Sequence, residues 1–453
     1  MSSSRRGLTV GLLLCVMAVA FEAMAVVTAM PAAAADLGDL HLYAWAFTAV
    51  MIPQMVAIVL AGRLCDRIGP TRPLLVGLGI FAAGIIVAAL APSMAVLLAG
   101  RAIQGLGGGA VNLSLMVLTA VAYDPRERAR IMTWYSACWM LPSFVGPAVA
   151  AWVSETFSWH WVFWSVLPMV AIGLAFMAPT LARLSPGASA SEGRSTPPAV
   201  PNHAALGVAA GLALLQWAGQ RLEAWSLLWA VAAVVLLVVF FPRLMPQGFT
   251  PVAPGLSATV MVRGLMAGGF FGMQTFLPLM LTARGASLMA AGAVITVGSV
   301  GWMTGSWLQA RPWLRLSRDQ IIFAGSCGLT LGLVVIAVSA WSGSGSLILP
   351  AVGSVFAGLG MGLQSASTSL VTMQLSSEAD IGRNTSSLQV GETSGNAVFA
   401  GMAGTLFAAL GGRGPDAVTF GAVMTAMAVV AALGAVSARR IGHVRNFSLR
   451  SSS

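Results

Sequence analysis

The sequence consists almost entirely of long apolar segments, separated by short stretches that hold most of the charged residues. A hydrocarbon core about 30 Å thick is crossed by a helix of roughly 20 apolar residues, which is the length of these segments. Only 8% of the 453 residues are charged, whereas a soluble domain carries about 25%. The sequence therefore excludes a water-soluble enzyme. It has no ten-residue segments of alternating polarity, so it also argues against a membrane β-barrel.

Hydropathy predicts fourteen membrane-spanning helices, and hence an all-α polytopic membrane protein. The predicted spans are 8–34, 42–62, 73–92, 94–121, 131–153, 160–181, 204–220, 225–242, 257–282, 286–309, 320–341, 346–373, 385–411 and 416–438. Span 204–220 is the shortest and contains Gln216. Omitting it while keeping span 225–242 would place the two ends of the chain on opposite sides of the membrane.

The arginines indicate how these spans are oriented. The chain has 24 basic residues, all of them arginine, and 14 acidic residues, which gives a net charge of +10. With the N-terminus in the cytoplasm, the inward loops and tails hold nineteen arginines and the outward loops hold three. This bias follows the positive-inside rule and predicts that both termini are cytoplasmic. Because membrane orientation explains the positive charge, we expect no nucleic-acid partner.

An internal similarity divides the chain into two halves. Gly105–Gly109 in the fourth span corresponds to Gly358–Gly362 in the twelfth, and polar residues follow both runs. Repeated halves are typical of secondary transporters. We predict an N-terminal six-helix bundle at 1–182, a cytoplasmic linker at 183–203, an inserted helical hairpin at 204–243, and a C-terminal six-helix bundle with a short cytoplasmic tail at 244–453.

A loop rich in glycine and arginine follows the second span. It reads Gly62-Arg63-Leu64-Cys65-Asp66-Arg67-Ile68-Gly69-Pro70-Thr71-Arg72. It resembles the signature loop of the major facilitator superfamily, G-x-L-x-D-R-x-G followed by basic residues. The resemblance implies the fold of that family, two six-helix bundles, here with two inserted central helices. It also implies a conformational latch, since an aspartate among arginines at a glycine turn can pair with cations in one conformation and release them in another.

Two further motifs resemble those of exporters in this superfamily. Residues 101–105 read Arg-Ala-Ile-Gln-Gly and are similar to the R-x-x-Q-G motif, whose arginine is implicated in proton transfer. The alternative for Arg101 is snorkelling to the membrane interface. In the fifth span, Gly146 and Pro147 begin a segment similar to the G-P-x-x-G-G antiporter motif, with alanine at positions 150 and 151. This resemblance implies export rather than import.

Two acidic residues lie deep inside predicted spans, where an ionisable side chain is costly and marks function. Glu22 precedes a segment that ends at Pro31 and resembles the first-span motif of the fourteen-span drug:proton antiporters, whose usual acid is Asp. The resemblance implies that Glu22 carries protons; the alternative is a permanently neutral structural acid. Glu392 is a second proton site, a contact for a cationic substrate, or a packed polar group. Arg263, near the inner end of its span, is expected to snorkel.

Polar and aromatic side chains within the spans predict a fairly apolar cavity for hydrophobic or cationic compounds, although each alone is typical of helix–helix contacts. They are Gln54, Gln104, Asn112, Trp139, Phe270, Gln274 and Gln364. The four cysteines and four histidines show no metal-ligand spacing, and no phosphate-binding loop occurs. We therefore expect no metal, no cofactor and no enzymatic activity.

These patterns and resemblances predict a monomeric, proton-coupled antiporter in a bacterial inner membrane. It would export hydrophobic or cationic small molecules by alternating access, with Glu22, Glu392 and Arg101 in the proton-coupling site. Lipids or endogenous metabolites are alternative substrates, because fourteen-span relatives also move them. A membrane sensor or scaffold that does not transport is a remote alternative, since the loops are too short to hold a signalling domain.

Overall fold

The computed structural model describes residues 3–123, 125–182, 202–220, 224–311, 313–377, 380–411 and 416–444. Within these ranges the regular secondary structure is helical throughout. The linker predicted at 183–203 lies outside the described residues, except for its last two positions.

The chain divides into two compact units, Met1–Ala209 and Ala210–Ser453, with the boundary inside one helix. The first seven helices are α1 (Ser3–Leu37), α2 (Trp45–Ile68), α3 (Thr71–Ala89), α4 (Met94–Ala122), α5 (Pro125–Thr156), α6 (His160–Trp164) and α7 (Val166–Leu181). The predicted inserted hairpin contains α8 (Asn202–Gln220) and α9 (Ala224–Phe240). The last six are α10 (Leu256–Ala283), α11 (Leu288–Leu308), α12 (Arg318–Ser342), α13 (Ile348–Leu375), α14 (Ile381–Leu410) and α15 (Ala417–Ala438).

In the first unit, the glycine run of α4 sets how its neighbours pack. Helix α4 packs against α2 and α3, whereas α1 packs against α5 and α7. Gly105 and Gly109 lie against the backbone of α2, and Gly107 lies against α3 at Phe81. Because glycine has no side chain, both neighbouring backbones can approach α4 closely.

The second unit repeats this arrangement. Helix α13 packs against α11 and α12, whereas α10 packs against α14 and α15. Gly358 and Gly362 lie against the backbone of α11, and Gly360 lies against α12. The two glycine runs therefore make equivalent contacts, and α4 corresponds to α13. The similarity recognised in the sequence reflects a repeated mode of helix packing.

Twelve of the described helical segments are long and apolar enough to cross a membrane, with α6 and α7 together forming one of them. The predicted spans 204–220 and 385–411 coincide with α8 and α14, which are not among the twelve. The apolar part of α8 runs only from His203 to Gly219, about 26 Å of helix. Helix α14 is 30 residues long, but polar residues such as Glu392 and Asn396 lower its hydropathy.

Polar side chains fix several helix ends outside the apolar segments. Asp416 accepts a hydrogen bond from the backbone N–H of Thr419 at 2.8 Å and so caps the start of α15. This bond holds the pKa of Asp416 below its usual value. At the end of α12, Arg284 donates to the backbone oxygens of Ser339 and Ala340 at 2.9 and 2.5 Å. Burial lowers the pKa of Arg284.

Candidate functional site

A buried arginine–carboxylate pair joins α1 to α4 in the first unit. Nη1 of Arg101 donates to Oε1 of Glu22, and each side chain is only 5% exposed. Nε of Arg101 also donates to the backbone oxygen of Ala46 on α2 at 3.0 Å, and Nη1 donates to Oε1 of Gln104 at 3.1 Å. The guanidinium therefore connects three helices, and Arg101 points into the unit instead of snorkelling to the interface.

The two partners of this pair are held differently. A buried charge is tolerated only when it is paired and hydrogen-bonded. Within the described part of the chain, the donor to Glu22 is Arg101, whereas Arg101 has two additional neutral acceptors, on Ala46 and Gln104. If Glu22 became neutral, Arg101 would still be anchored to α2 and α4. Arg101 is thus the partner whose position does not depend on the pair alone.

The predicted antiporter motif lies where α5 packs on α1. Gly146 and Pro147 are inside α5, which packs against α1. A β-carbon at Gly146 would lie 3.3 Å from Cβ of Met24, two residues along α1 from Glu22. The motif is therefore at the same level along α1 as Glu22, against a different face of the helix from the carboxylate.

A second charge pair lies in the second unit, between α10 and α14. Nε and Nη2 of Arg263 both donate to Oε2 of Glu392, at 3.0 and 2.9 Å. Nη1 donates to Oγ1 of Thr368 at 3.1 Å and to the backbone oxygen of Ser365, both on α13. The side chain of Arg263 is 11% exposed and that of Glu392 is 19% exposed. This cluster connects α10, α13 and α14.

The expectation that Arg263 snorkels to the interface was wrong. The guanidinium is turned into the unit, where a carboxylate and two neutral acceptors satisfy its donors. The sequence contained a signal for this pairing. A carboxylate deep in a membrane helix needs a partner, and Arg263 is the only basic residue inside predicted spans 9 to 14.

The predicted cavity residues of the first unit have different environments. Gln104 is 1% exposed and belongs to the Arg101 cluster, where its Nε2 has no hydrogen-bond acceptor among the described residues. Asn112 accepts a hydrogen bond from the hydroxyl of Tyr135 on α5 at 2.5 Å. Gln54 and Trp139 are partly buried.

The predicted cavity residues of the second unit lie on α10 and α13. Phe270 and Gln274 line a small pocket together with Ser354 of α13. The ring of Phe270 also packs edge-on against Trp302 of α11, with centroids 5.3 Å apart. Gln364 is fully buried, and its Oε1 has no donor in the described part of the chain. Trp302 was not singled out from the sequence, because an aromatic residue in an apolar span has no distinctive pattern.

The signature motif is mostly helical. Gly62, Asp66 and Arg67 lie in the last two turns of α2, and Gly69 ends that helix with φ of 77°. A positive φ is accessible to glycine without strain, which explains why the turn is placed there. Arg72 lies in the first turn of α3 and is exposed, as is Arg67. The side chain of Asp66 is outside the described part of the structure.

No cluster of three or more His, Cys, Asp or Glu side chains that could hold a metal ion occurs among the residues that the structure describes. The cysteine thiols are free: Cys15, Cys65, Cys138 and Cys327. The arginine–carboxylate pairs found within the described helices are Arg101 with Glu22 and Arg263 with Glu392.

Comparison with known proteins adds independent findings. A family model described as Major Facilitator Superfamily matches residues 12–400. The multidrug transporter protein MdtP of Bacillus subtilis is 25% identical over 427 residues, which is 91% of this chain and 77% of that protein. A Mycobacterium tuberculosis protein named probable multidrug-efflux transporter is 26% identical over 436 residues, 92% of this chain and 90% of that protein. The crystal structure of an auto-inhibited peptide transporter of the POT family covers 97% of this chain and 98% of its own, with a TM-score of 0.72 and 15% identity, so the likeness concerns the fold.

Proposed function

The chain belongs to the Major Facilitator Superfamily, and we propose that it is a proton-coupled antiporter that exports hydrophobic or cationic small molecules by alternating access. Its relatives are transporters, which are not enzymes. The observation that carries the proposal of proton coupling is the buried pair of Glu22 and Arg101. An ionisable pair sealed inside apolar helices is costly, so its presence supports a function in transport.

Coupling in this proposal follows from how the pair is held. Glu22 is the proton carrier and Arg101 is its counter-ion. When Glu22 takes a proton, Arg101 keeps its bonds to Ala46 and Gln104, so the carboxyl can separate from it without leaving a free guanidinium. Charges interact strongly where water is excluded. A cationic substrate therefore favours the ionised form of Glu22, and its binding releases the proton.

The substrate class is proposed from the relatives. Those that match most of the chain are named multidrug or multidrug-efflux transporters. In the second unit, Phe270 and Gln274 line a small pocket that has room for about one water molecule. In the proposal, these side chains line the cargo site only after the helices rearrange during alternating access.

We further propose that α8 and α14 complete fourteen spans, with both termini in the cytoplasm of a bacterial cell and the protein in its inner membrane. The arginine distribution supports this topology, with nineteen arginines in inward loops and three in outward loops. A reporter enzyme inserted at 221–223, between α8 and α9, should be active on the outer side. Activity only on the cytoplasmic side would contradict fourteen spans in this orientation.

Transport by Glu22→Gln tests the coupling. In proteoliposomes with an imposed pH gradient, wild type should move rhodamine 6G, a fluorescent lipophilic cation, against its concentration gradient. Glu22→Gln should lose the gradient-driven transport, because an amide cannot exchange a proton. The matched control is Glu155→Gln, the same change at an exposed position near the end of α5, which should keep it. Gradient-driven transport at the wild-type rate by Glu22→Gln would refute the proposal.

A further inference from the structure

The proposed function gives no role to the cluster formed by Arg263, Glu392, Thr368 and Ser365. We infer that Arg263 is a positioning residue for Glu392, which it keeps ionised and oriented so that the second carboxylate oxygen is available to a cationic cargo bearing N–H donors. The inference rests on the proposed function for the identity of the cargo. The effect of Arg263 on the charge of Glu392 can be measured without any cargo.

The first argument is that Arg263 is fixed independently of Glu392. Nη1 is anchored to α13 by Oγ1 of Thr368 and the backbone oxygen of Ser365, while Nε and Nη2 point to the carboxylate. The fork geometry of a guanidinium makes this division of donors possible, and a lysine could not reproduce it. Arg263 therefore stays in place whether or not the carboxylate is engaged elsewhere.

The second argument is that only one of the two carboxylate oxygens of Glu392 accepts the hydrogen bonds of Arg263. Both bonds from Arg263 end on Oε2, and Oε1 accepts no hydrogen bond from the residues that the structure describes. The side chain is 19% exposed, compared with 5% for Glu22. Of the two carboxylates, Glu392 is thus the one with an oxygen available to a ligand, whereas Glu22 is sealed.

The charges around Glu392 come from few sources. Helices α13 and α15 contain no titratable residues, and α10 contains only Arg263. The short turn Phe241–Leu244, which also touches α14, contributes Arg243, which lies over the ring of Phe240. On α14 itself, Arg383 donates to the backbone oxygen of Met245 at 3.3 Å. Arg263 is therefore the cation bonded to Glu392, and removing it would leave the carboxylate without a bonded counter-ion.

The third argument concerns the neighbouring polar atoms. Asn396 follows Glu392 by one helical turn, and Gln364 precedes Thr368 by one turn, so each lies on the same helix face as a member of the cluster. Both are buried, and Oδ1 of Asn396 and Oε1 of Gln364 have no donor in the described part of the chain. Unpaired buried acceptors are costly. In a conformation that opens this face to the cargo, these acceptors favour a cargo with N–H groups, such as a protonated amine, over a quaternary ammonium.

The charge of Glu392 is tested by infrared spectroscopy on purified protein. In Arg263→Gln, the partly buried carboxylate of Glu392 has lost its bonded counter-ion, and we expect it to take up a proton. This variant should therefore show one additional protonated carboxyl band, and the double variant Arg263→Gln/Glu392→Gln should not. The matched control is Arg284→Gln, the same change just beyond the end of α10, which should leave the spectrum unchanged. Absence of the additional band in Arg263→Gln, or its persistence in the double variant, overturns the inference.

The role of Glu392 in cargo binding is tested with rhodamine 6G as the probe. Because a hydrogen bond to a charged group is stronger than one to a neutral amide oxygen, Glu392→Gln should weaken binding by about fivefold or more. In Arg263→Gln, the cationic probe should displace the proton from Glu392, so each bound probe should release about one more proton than in wild type. The double variant Arg263→Gln/Glu392→Gln has no carboxyl group at position 392 and should release the wild-type number. An unchanged Kd in Glu392→Gln overturns the cargo contact. If wild type itself releases no proton on binding, the proposed coupling fails, whereas the infrared result still decides the role of Arg263.

Discussion

Replacing Arg101 by methionine tests most directly how the first charge pair is built. Methionine keeps an unbranched chain that fills part of the space, but it removes every donor that reaches Glu22, Ala46 and Gln104. Glu22 would then be a carboxylate with 5% exposure and no counter-ion. Breaking a buried pair in this way costs about 3 to 5 kcal/mol.

The three variants of a double-mutant cycle should differ in a defined order. Glu22→Gln should be the mildest, because Arg101 keeps its hydrogen bonds to Ala46 and Gln104 and the new amide oxygen can also accept from it. Arg101→Met should be the most destabilised, because Glu22 loses its donor and must either stay charged without a counter-ion or take up a proton. The double variant should recover part of that loss, because no buried charge remains. Acid pH should also reduce the loss in Arg101→Met, since a proton on Glu22 removes the charge.

Thermal unfolding in detergent micelles measures these differences. For a unit the size of Met1–Ala209, 1 kcal/mol corresponds to about 2 to 4 °C in Tm, so Arg101→Met should lower Tm by about 6 to 20 °C. The control is Arg6→Met, at an exposed position in the first turns of α1, which should change Tm by less than about 2 °C. A Tm of Arg101→Met close to wild type, or a double variant no more stable than the single one, would refute this reasoning.

Two further predictions concern packing and helix capping. A methyl group at Gly84 would lie 2.8 Å from Cγ of Gln104, so Gly84→Ala should destabilise the protein by about 1 to 3 kcal/mol. The control is Gly79→Ala on the same helix, where the new methyl group meets no atom within 4 Å; it should be neutral or stabilise by up to about 1 kcal/mol. Both effects are measured as shifts in Tm. Asp416 has a lowered pKa because the N–H of Thr419 bonds its ionised form, so its contribution to stability is present at neutral pH and is lost as pH falls below the ordinary value of 3.8. Asp416→Ala should therefore reduce stability at pH 7 and have a smaller effect at pH 3, where part of the contribution is already lost. Equal effects at both pH values would contradict the cap.

The helices could be predicted from the sequence because apolar length is a local property. Every predicted span coincides with a helix, and the two glycine runs make equivalent contacts in the two units. The exact number of membrane crossings is harder to predict. Helix α14 combines the length of a span with several polar residues, among them the partly buried Glu392, so its hydropathy alone does not identify it.

The charge pairs show where reasoning from sequence stops. Motif resemblance indicates Glu22 and Arg101 as site residues, but it does not indicate that these two residues, 79 positions apart, are in contact. The depth of Arg263 in its own span gives no information about its partner, which lies 129 positions away. The energy of a membrane-embedded charge depends on its partner, so judging each charge separately assigned Arg263 to the interface.

The two units share their packing but not their charges. Helix α1 corresponds to α10 by its contacts, yet α1 contributes the carboxylate of its pair and α10 contributes the guanidinium. The partners also differ, since Arg101 lies on α4, whereas Glu392 lies on α14. The repeat therefore supplies two similar scaffolds that hold their ionisable groups at different positions. Because Glu22 is 5% exposed and Glu392 is 19% exposed, our proposals assign the two pairs different roles, proton binding to Glu22 and contact with a cation to Glu392.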